Sequence, residues 1–391
     1  MNVRRFIASL AALAVLGGCA QVQPEAVPEV TPEPTASEPE PSPTPSEPTC
    51  AEVAAGLTVQ QQAGQLLMVG VYGTLDGTTR EIIAENKIGS VILMGNYDTS
   101  VSQTEELTQA IADLGEVTPV LVAVDQEGGL VRRLRGPGFD EIPSAAEQGK
   151  LSDDELASEA TIWAEQLRAA GVNLVLAPVG DTVPKNKMRT NEPIGKLGRS
   201  FGSDPKAVAG KVAAFVTAFR QVGVGTSVKH FPTLGEVTGN TDFSSGVTDR
   251  VTSADSASLE PFRAGIEAGS ATVMMSTAIY TKIDPDAPAA FSPKVVGLLR
   301  DGLGFDGVII SDDLGVAVSA KSTPARERAL RFVKAGGDLA ITVDPALASE
   351  MVAGLVKAAK SDEGVAAQVA EAAGRVLAMK SELGLGSCRV E

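Results

Sequence analysis

The stretch Pro119-Val120-Leu121-Val122-Ala123-Val124-Asp125-Gln126-Glu127-Gly128-Gly129 decides how the rest of the chain is read. Val120 to Val124 is an unbroken, mostly β-branched apolar run, which suits a strand buried on both faces, as in a parallel sheet. Pro119 stands just ahead of it, where a strand's first residue tolerates a missing N–H. The run then passes directly into Asp125 and Glu127, so charge sits at the strand's C-terminal end.

Working outward in both directions, the same pattern recurs from Leu66 to Val343: a short apolar run, a polar turn, then a helical stretch with apolar residues at three- and four-residue spacing. The runs are Leu66 to Val69, Ser90 to Met94, Val120 to Val124, Asn173 to Ala177, Thr226 to Val228, Ala271 to Ser276, Val308 to Ser311 and Leu339 to Val343. Caps frame the helices between them. Ser152 precedes the acidic turn Asp153-Asp154-Glu155, a capping-box pattern, and Asp204-Pro205 opens another helix with proline in the first turn. Strands alternating with helices make βα units, and eight of them favour an α/β fold of the closed (β/α)8 TIM type over an open doubly wound sheet, the competing arrangement. Residues 50–391 are expected to form this single barrel domain.

Barrel chemistry is built at the C-terminal ends of the strands. Here those ends carry Asp125-Gln126-Glu127-Gly128-Gly129, Lys229-His230-Phe231-Pro232 and Ser311-Asp312-Asp313-Leu314. Charges that converge on one mouth are costly to bring together unless they pair or bind something, which marks this end as the functional one.

The two ends of the chain read differently. Arg4 and Arg5 precede an apolar run from Phe6 to Leu16 that closes on Gly17 and Gly18, so residues 1–18 are expected to be an export signal, too short to span a bilayer. Leu16-Gly17-Gly18-Cys19 is similar to a bacterial lipobox, in which Cys19 would take a lipid. That predicts a protein anchored to the outer face of the bacterial cell membrane. Residues 19–49, dominated by Pro, Glu, Ser, Thr, Val and Ala, have no apolar period and are expected to be a disordered tether, reaching on the order of 90 Å at about 3.1 Å per residue. Cys50 and Cys388 bracket the body. A closed barrel brings its first and last elements together, so in an oxidising compartment they are expected to pair, contributing roughly 3 to 5 kcal/mol.

The formal net charge of -16 argues against nucleic acid or a bare anionic membrane surface as a partner. With one histidine in the chain and no clustered cysteines, neither a metal nor another cofactor is expected.

At Leu66-Leu67-Met68-Val69-Gly70, at Asp125-Gln126-Glu127-Gly128-Gly129 with Arg133, at Leu176-Ala177-Pro178-Val179 with Asp181, at Gly198-Arg199-Ser200-Phe201-Gly202, at Lys229-His230-Phe231-Pro232 and at Ser311-Asp312-Asp313-Leu314, the chain resembles the glycoside hydrolase family 3 β-N-acetylglucosaminidases, from Leu57 to about Leu385. The resemblance implies a retaining hydrolase acting at non-reducing ends of cell-wall amino-sugar glycans or muropeptides. It makes Asp312 the nucleophile and assigns Asp125, Arg133, Arg199, Lys229 and His230 to the terminal sugar. These residue types fit: a carboxylate accepts from adjacent hydroxyls, Arg and Lys donate to oxygens, and a strand-end carboxylate ringed by cations can stay ionised and attack a sugar ring. Asp313 reads as the cap of a helix after the strand.

The pattern departs from the family at the acid/base. Relatives carry an Asp-x-His pair in the loop after Lys-His-Phe-Pro; here Asn240 and Asp242 hold those positions, and Thr277 replaces another frequent histidine. His230 is the only histidine, so the usual pair has no substitute of its own kind. Asp242 and Glu236 are the candidate acid/base carboxyls. Three readings are open: a hydrolase with a carboxylic acid in the histidine's place, a catalytically impaired lipoprotein that binds wall fragments or a wall enzyme, and a Schiff-base enzyme using Lys229.

Overall fold

The computed structural model describes residues 48–389 together with Gln23; the export signal, Cys19 and most of the tether lie outside the described residues. Eight parallel strands close into a barrel: β1 (Leu67–Tyr72), β2 (Ser90–Met94), β3 (Leu121–Val124), β4 (Leu174–Val175), β5 (Gly225–Phe231), β6 (Thr272–Met275), β7 (Val308–Asp313) and β8 (Leu339–Thr342). They follow one another around the barrel in chain order, and β8 returns to β1 with Leu67 opposite Ala340 and Met68 opposite Ile341. The closed α/β barrel replaces the open-sheet alternative.

Along each strand, side chains alternate between two separate cores. Met68, Ile92, Leu121, Ala123, Leu174, Met274, Ile310 and Ile341 fill the interior. Val69, Val91, Val122, Val175, Val273 and Ile309 face the surrounding helices. Both faces are therefore dry, which is why the strands read as continuous apolar runs rather than alternating ones.

The observed strands differ from expectation mainly at their ends. Leu66 caps the helix Val59–Gln65 instead of opening β1. β5 runs three residues past Val228, because its neighbours keep supplying partners: the Lys229 N–H donates to the Pro178 carbonyl (3.2 Å), and the Ser276 N–H donates to that of Phe231 (2.9 Å). Lys229 and His230 consequently sit on a strand, not in a loop. Residues with no periodic signal add a hairpin after β3 (Gln126–Gly128 with Val131–Arg132) and a small sheet of Thr248–Asp249, Ile279–Tyr280 and Asp284–Pro288 from the loops after β5 and β6.

The opposite end is closed by the C-terminal helix Glu363–Glu382, whose Val376 and Met379 join the interior core. Its Lys380 is fully buried and donates to the Gln65 side-chain oxygen (3.1 Å) and the Gly89 carbonyl (3.0 Å). Beside this helix the ends of the barrel domain meet: Cys50 and Cys388 form a disulfide with a Cα separation of 4.8 Å, and Thr49 bridges Arg389. Cys50 opens a helix held by a capping box in which Thr49 and Glu52 satisfy each other's backbone N–H.

Candidate active site

Strand period places Asp125 and Glu127 on the same side of the chain, and the barrel turns that side toward Lys229 of β5. The Lys229 ammonium pairs with Asp125 Oδ1 at 2.7 Å and Glu127 Oε1 at 2.6 Å. Arg199, in the loop after β4, meets Glu127 edge-on, with Nε to Oε2 and Nη2 to Oε1 both at 2.8 Å. Burial alone would push the Glu127 carboxyl up, but the charges of Arg199 and Lys229 outweigh it and hold Glu127 well below the usual carboxylate range. By the same attraction Lys229, although buried, is held above its ordinary value and stays protonated. A doubly paired ammonium offers little free amine to condense with a carbonyl, which counts against the Schiff-base reading.

His230 is oriented from below. Its Nδ1 lies 2.7 Å from the fully buried carboxylate of Asp181, which also accepts the Leu234 N–H at 2.6 Å. With Nδ1–H directed at that carboxylate, Nε2 faces the cavity, 3.5 Å from Arg199. Arg133 is held by its backbone, whose carbonyl accepts the Tyr97 N–H at 2.8 Å and whose N–H donates to the Gln126 side chain at 2.8 Å. Its guanidinium comes no nearer than 4.0 Å to Asp125, and its buried Nε has no partner.

Asp312 is the penultimate residue of β7. The cations expected to ring it are committed to Asp125 and Glu127, and its hydrogen bond among the described residues comes from the Asp313 N–H at 2.8 Å. Burial therefore prevails over the charges of His230 and Lys229, and the Asp312 pKa lies above the ordinary aspartate value. Asp313 caps not a helix but the loop after β7. Its Oδ1 accepts from Gly315 (2.9 Å) and Val343 (3.0 Å), and its Oδ2 from Val316 (2.8 Å) and Ala317 (2.9 Å).

Around these groups lies a cavity of about 600 Å³ at the C-terminal mouth, floored by Met94, Leu176, Met274 and Ile341. Asp125, Arg133, Arg199, Lys229, His230, Asp242 and Asp312 all line it. Desolvation by the cavity walls and repulsion from Asp312 raise the Asp242 pKa to about 6, although the side chain remains open to the cavity. Glu236 is not brought in: its carboxylate is tied to the Lys187 ammonium at 2.5 Å, and Lys187 also donates to the Glu236 carbonyl at 2.8 Å. A larger cavity, about 820 Å³, lies at the opposite end between the starts of β5 to β7 and the C-terminal helix, away from the face where barrel enzymes carry their chemistry.

Glu127 and Asp181 were legible as motif members but not as parts of the site. The signal for Glu127 was its two-residue offset from Asp125. Asp181 is identified only by the fold, which places it under the single histidine.

Residues 58–379 match the family model of the glycosyl hydrolase family 3 N-terminal domain. The chain belongs to glycosyl hydrolase family 3. A β-hexosaminidase of Stenotrophomonas maltophilia is 36% identical over 297 residues, covering 73% of this chain and 85% of the relative. Among solved structures, the family 3 barrel described here superposes on a β-N-acetylhexosaminidase from Beutenbergia cavernae with TM-score 0.81 and 46% identity, covering 84% of this chain and 99% of that one. A family 3 glycosyl hydrolase from Mycobacterium smegmatis gives TM-score 0.73 at 28% identity, over 86% of this chain and 99% of that one.

Proposed function

We propose that this family 3 barrel is a retaining β-N-acetylhexosaminidase that removes terminal amino sugars from cell-wall glycans or muropeptides, with Asp312 as nucleophile and Asp242 as acid/base. The observation that carries the reading is the pair of carboxyls in one cavity beside a ring of sugar-binding groups. Asp242, with its pKa raised to about 6, can carry a proton in the cavity that Asp312 also lines, and the nucleophile stands on strand β7. Asp125, Arg133, Arg199, Lys229 and His230 would hold the terminal sugar's oxygens, with Glu127 fixing the two central cations. The names of the β-hexosaminidase relatives support an amino sugar as the unit removed.

Glycosylation takes the sugar onto Asp312 Oδ as Asp242 protonates the departing glycosidic oxygen. Water then attacks the anomeric carbon, Asp242 takes its proton, and the C–O bond to Asp312 breaks. Carboxylate for histidine leaves this cycle complete. Export through residues 1–18 and a lipid on Cys19 would hold the barrel at the outer face of the membrane, with residues 19–49 as its tether toward the wall.

The test compares dinitrophenyl and methyl N-acetylglucosaminides. The wild type is expected to hydrolyse both. Asp312→Ala should lose both, Asp242→Ala should lose about 10² to 10⁴-fold on the methyl glycoside and far less on the dinitrophenyl one, and Glu236→Ala should change neither greatly. A wild type that binds the sugar but cleaves neither glycoside would overturn the enzyme reading in favour of a sugar-binding lipoprotein.

A further inference from the structure

We propose that Thr277 and Ser319 are positioning residues for the acid step: they latch the turn that carries Asp242 onto the loop after the nucleophile's strand. The proposal rests on Asp242 as acid/base. Asp242 stands in a turn closed on itself, with its N–H donating to the Asn240 side chain (2.9 Å) and the Phe243 N–H donating to the Asn240 carbonyl (3.1 Å). Nothing in that turn fixes its distance from Asp312. The fixing bonds come from across the cavity mouth, where the Val318 N–H donates to the Asp242 carbonyl (3.1 Å) and the Ser319 N–H to the Thr241 carbonyl (3.2 Å).

Val318 and Ser319 belong to the loop after β7, which is hydrogen-bonded from both sides. From inside, the Asp313 carboxylate gathers the amides of Gly315, Val316 and Ala317. From outside, the buried Arg328 donates to the carbonyls of Leu314 (2.8 Å), Gly315 (2.5 Å) and Thr323 (2.7 Å). The Ser319 hydroxyl then donates to Thr277 Oγ1 at 2.8 Å, and Thr277, two residues beyond β6, is buried. Three loops meet at Ser319, whose hydroxyl reaches Thr277 and whose N–H reaches Thr241. The nucleophile and the acid thus share a frame, although one stands on β7 and the other in the loop after β5.

The chemistry makes this placement matter. A general acid works within hydrogen-bond reach of the oxygen it protonates, and a misplacement of about 1 Å can cost on the order of 10²-fold. Thr277→Val keeps the side-chain volume and removes the acceptor, while Thr277→Ser keeps the hydroxyl.

The experiment measures kcat/KM on methyl and dinitrophenyl N-acetylglucosaminides for wild type, Thr277→Val, Thr277→Ser, Ser319→Ala and Asp242→Ala, with amide hydrogen exchange on the same proteins. Thr277→Val and Ser319→Ala are expected to lose about tenfold to a hundredfold on the methyl glycoside and under about threefold on the dinitrophenyl glycoside, which needs little acid help. Thr277→Ser should restore the wild-type ratio. The Val318 and Ser319 amides should exchange faster in Thr277→Val while those of β7 do not. If Asp242→Ala is selective but Thr277→Val lowers both glycosides equally, or neither, the latch is wrong and the acid/base stands. If Asp242→Ala itself lowers both equally, or the wild type cleaves neither, the acid/base reading is wrong and the latch goes with it.

Discussion

Burial raises the Asp312 carboxyl, and desolvation together with repulsion from Asp312 raises that of Asp242, while the nearby cations are spent on Asp125 and Glu127. This sets the sign of the pH effect. Asp312 must be ionised to attack, so activity falls at low pH; Asp242 must be protonated to assist departure, so activity falls as pH rises through about 6. The profile of kcat/KM should therefore peak on the acid side of pH 6, with its basic limb absent in Asp242→Ala on the dinitrophenyl glycoside. A profile flat to pH 8 would assign the proton donor elsewhere. At this scale the sequence was informative about residue types and silent about pairing. It presented Asp242 and Glu236 as equals, since both are carboxyls on one loop; only the fold brings Lys187 onto Glu236 and leaves Asp242 in the cavity.

At the scale of elements, all eight strands were legible, because burial on both faces writes each as an uninterrupted apolar run. Their ends were not: β5 continues through Lys229 and His230 because backbone partners just past the ends of β4 and β6 exist there, which no side-chain pattern records. The helix Glu363–Glu382 illustrates another limit. Its closing of the barrel carries Lys380 into a site with two neutral acceptors and no carboxylate, and desolvation lowers the Lys380 pKa to about 7. An unfolded lysine titrates near 10.4, so between about pH 7 and 10 the unfolded chain binds the extra proton and stability rises with pH. Below about pH 7 the full penalty is present. Thermal unfolding of wild type and Lys380→Met from pH 7 to 9.5 checks this: the wild type's Tm should climb relative to the variant's, and parallel curves would show that Lys380 is charged when folded.

For the whole molecule, the Cys50–Cys388 disulfide joins the first helix of the barrel domain to the segment that follows its last helix and closes nearly the entire barrel into one loop, with 338 residues of sequence separation. A link of that span restricts the unfolded chain far more than the folded one, so replacing both cysteines by serine is expected to cost roughly 3 to 5 kcal/mol in denaturant unfolding while leaving the active-site geometry alone. Alkylation of both cysteines in the unreduced protein would show that the link does not form. The pairing could be expected from sequence because closure of a barrel constrains its termini. The small sheet from the loops after β5 and β6 could not, since its strands are only two to five residues long and carry no alternating apolar pattern.

Covalent trapping of the nucleophile tests the mechanism most directly. A fluorinated N-acetylglucosaminyl donor with a good leaving group slows breakdown of a glycosyl-enzyme more than its formation, so the sugar accumulates on the nucleophile and peptide mapping locates it. The label is expected on the peptide that contains Asp312, with Asp312→Ala unlabelled. Turnover of the donor with no covalent adduct, or an adduct on Asp125, Glu127 or Asp242, would contradict the assignment of Asp312 and the retaining mechanism built on it.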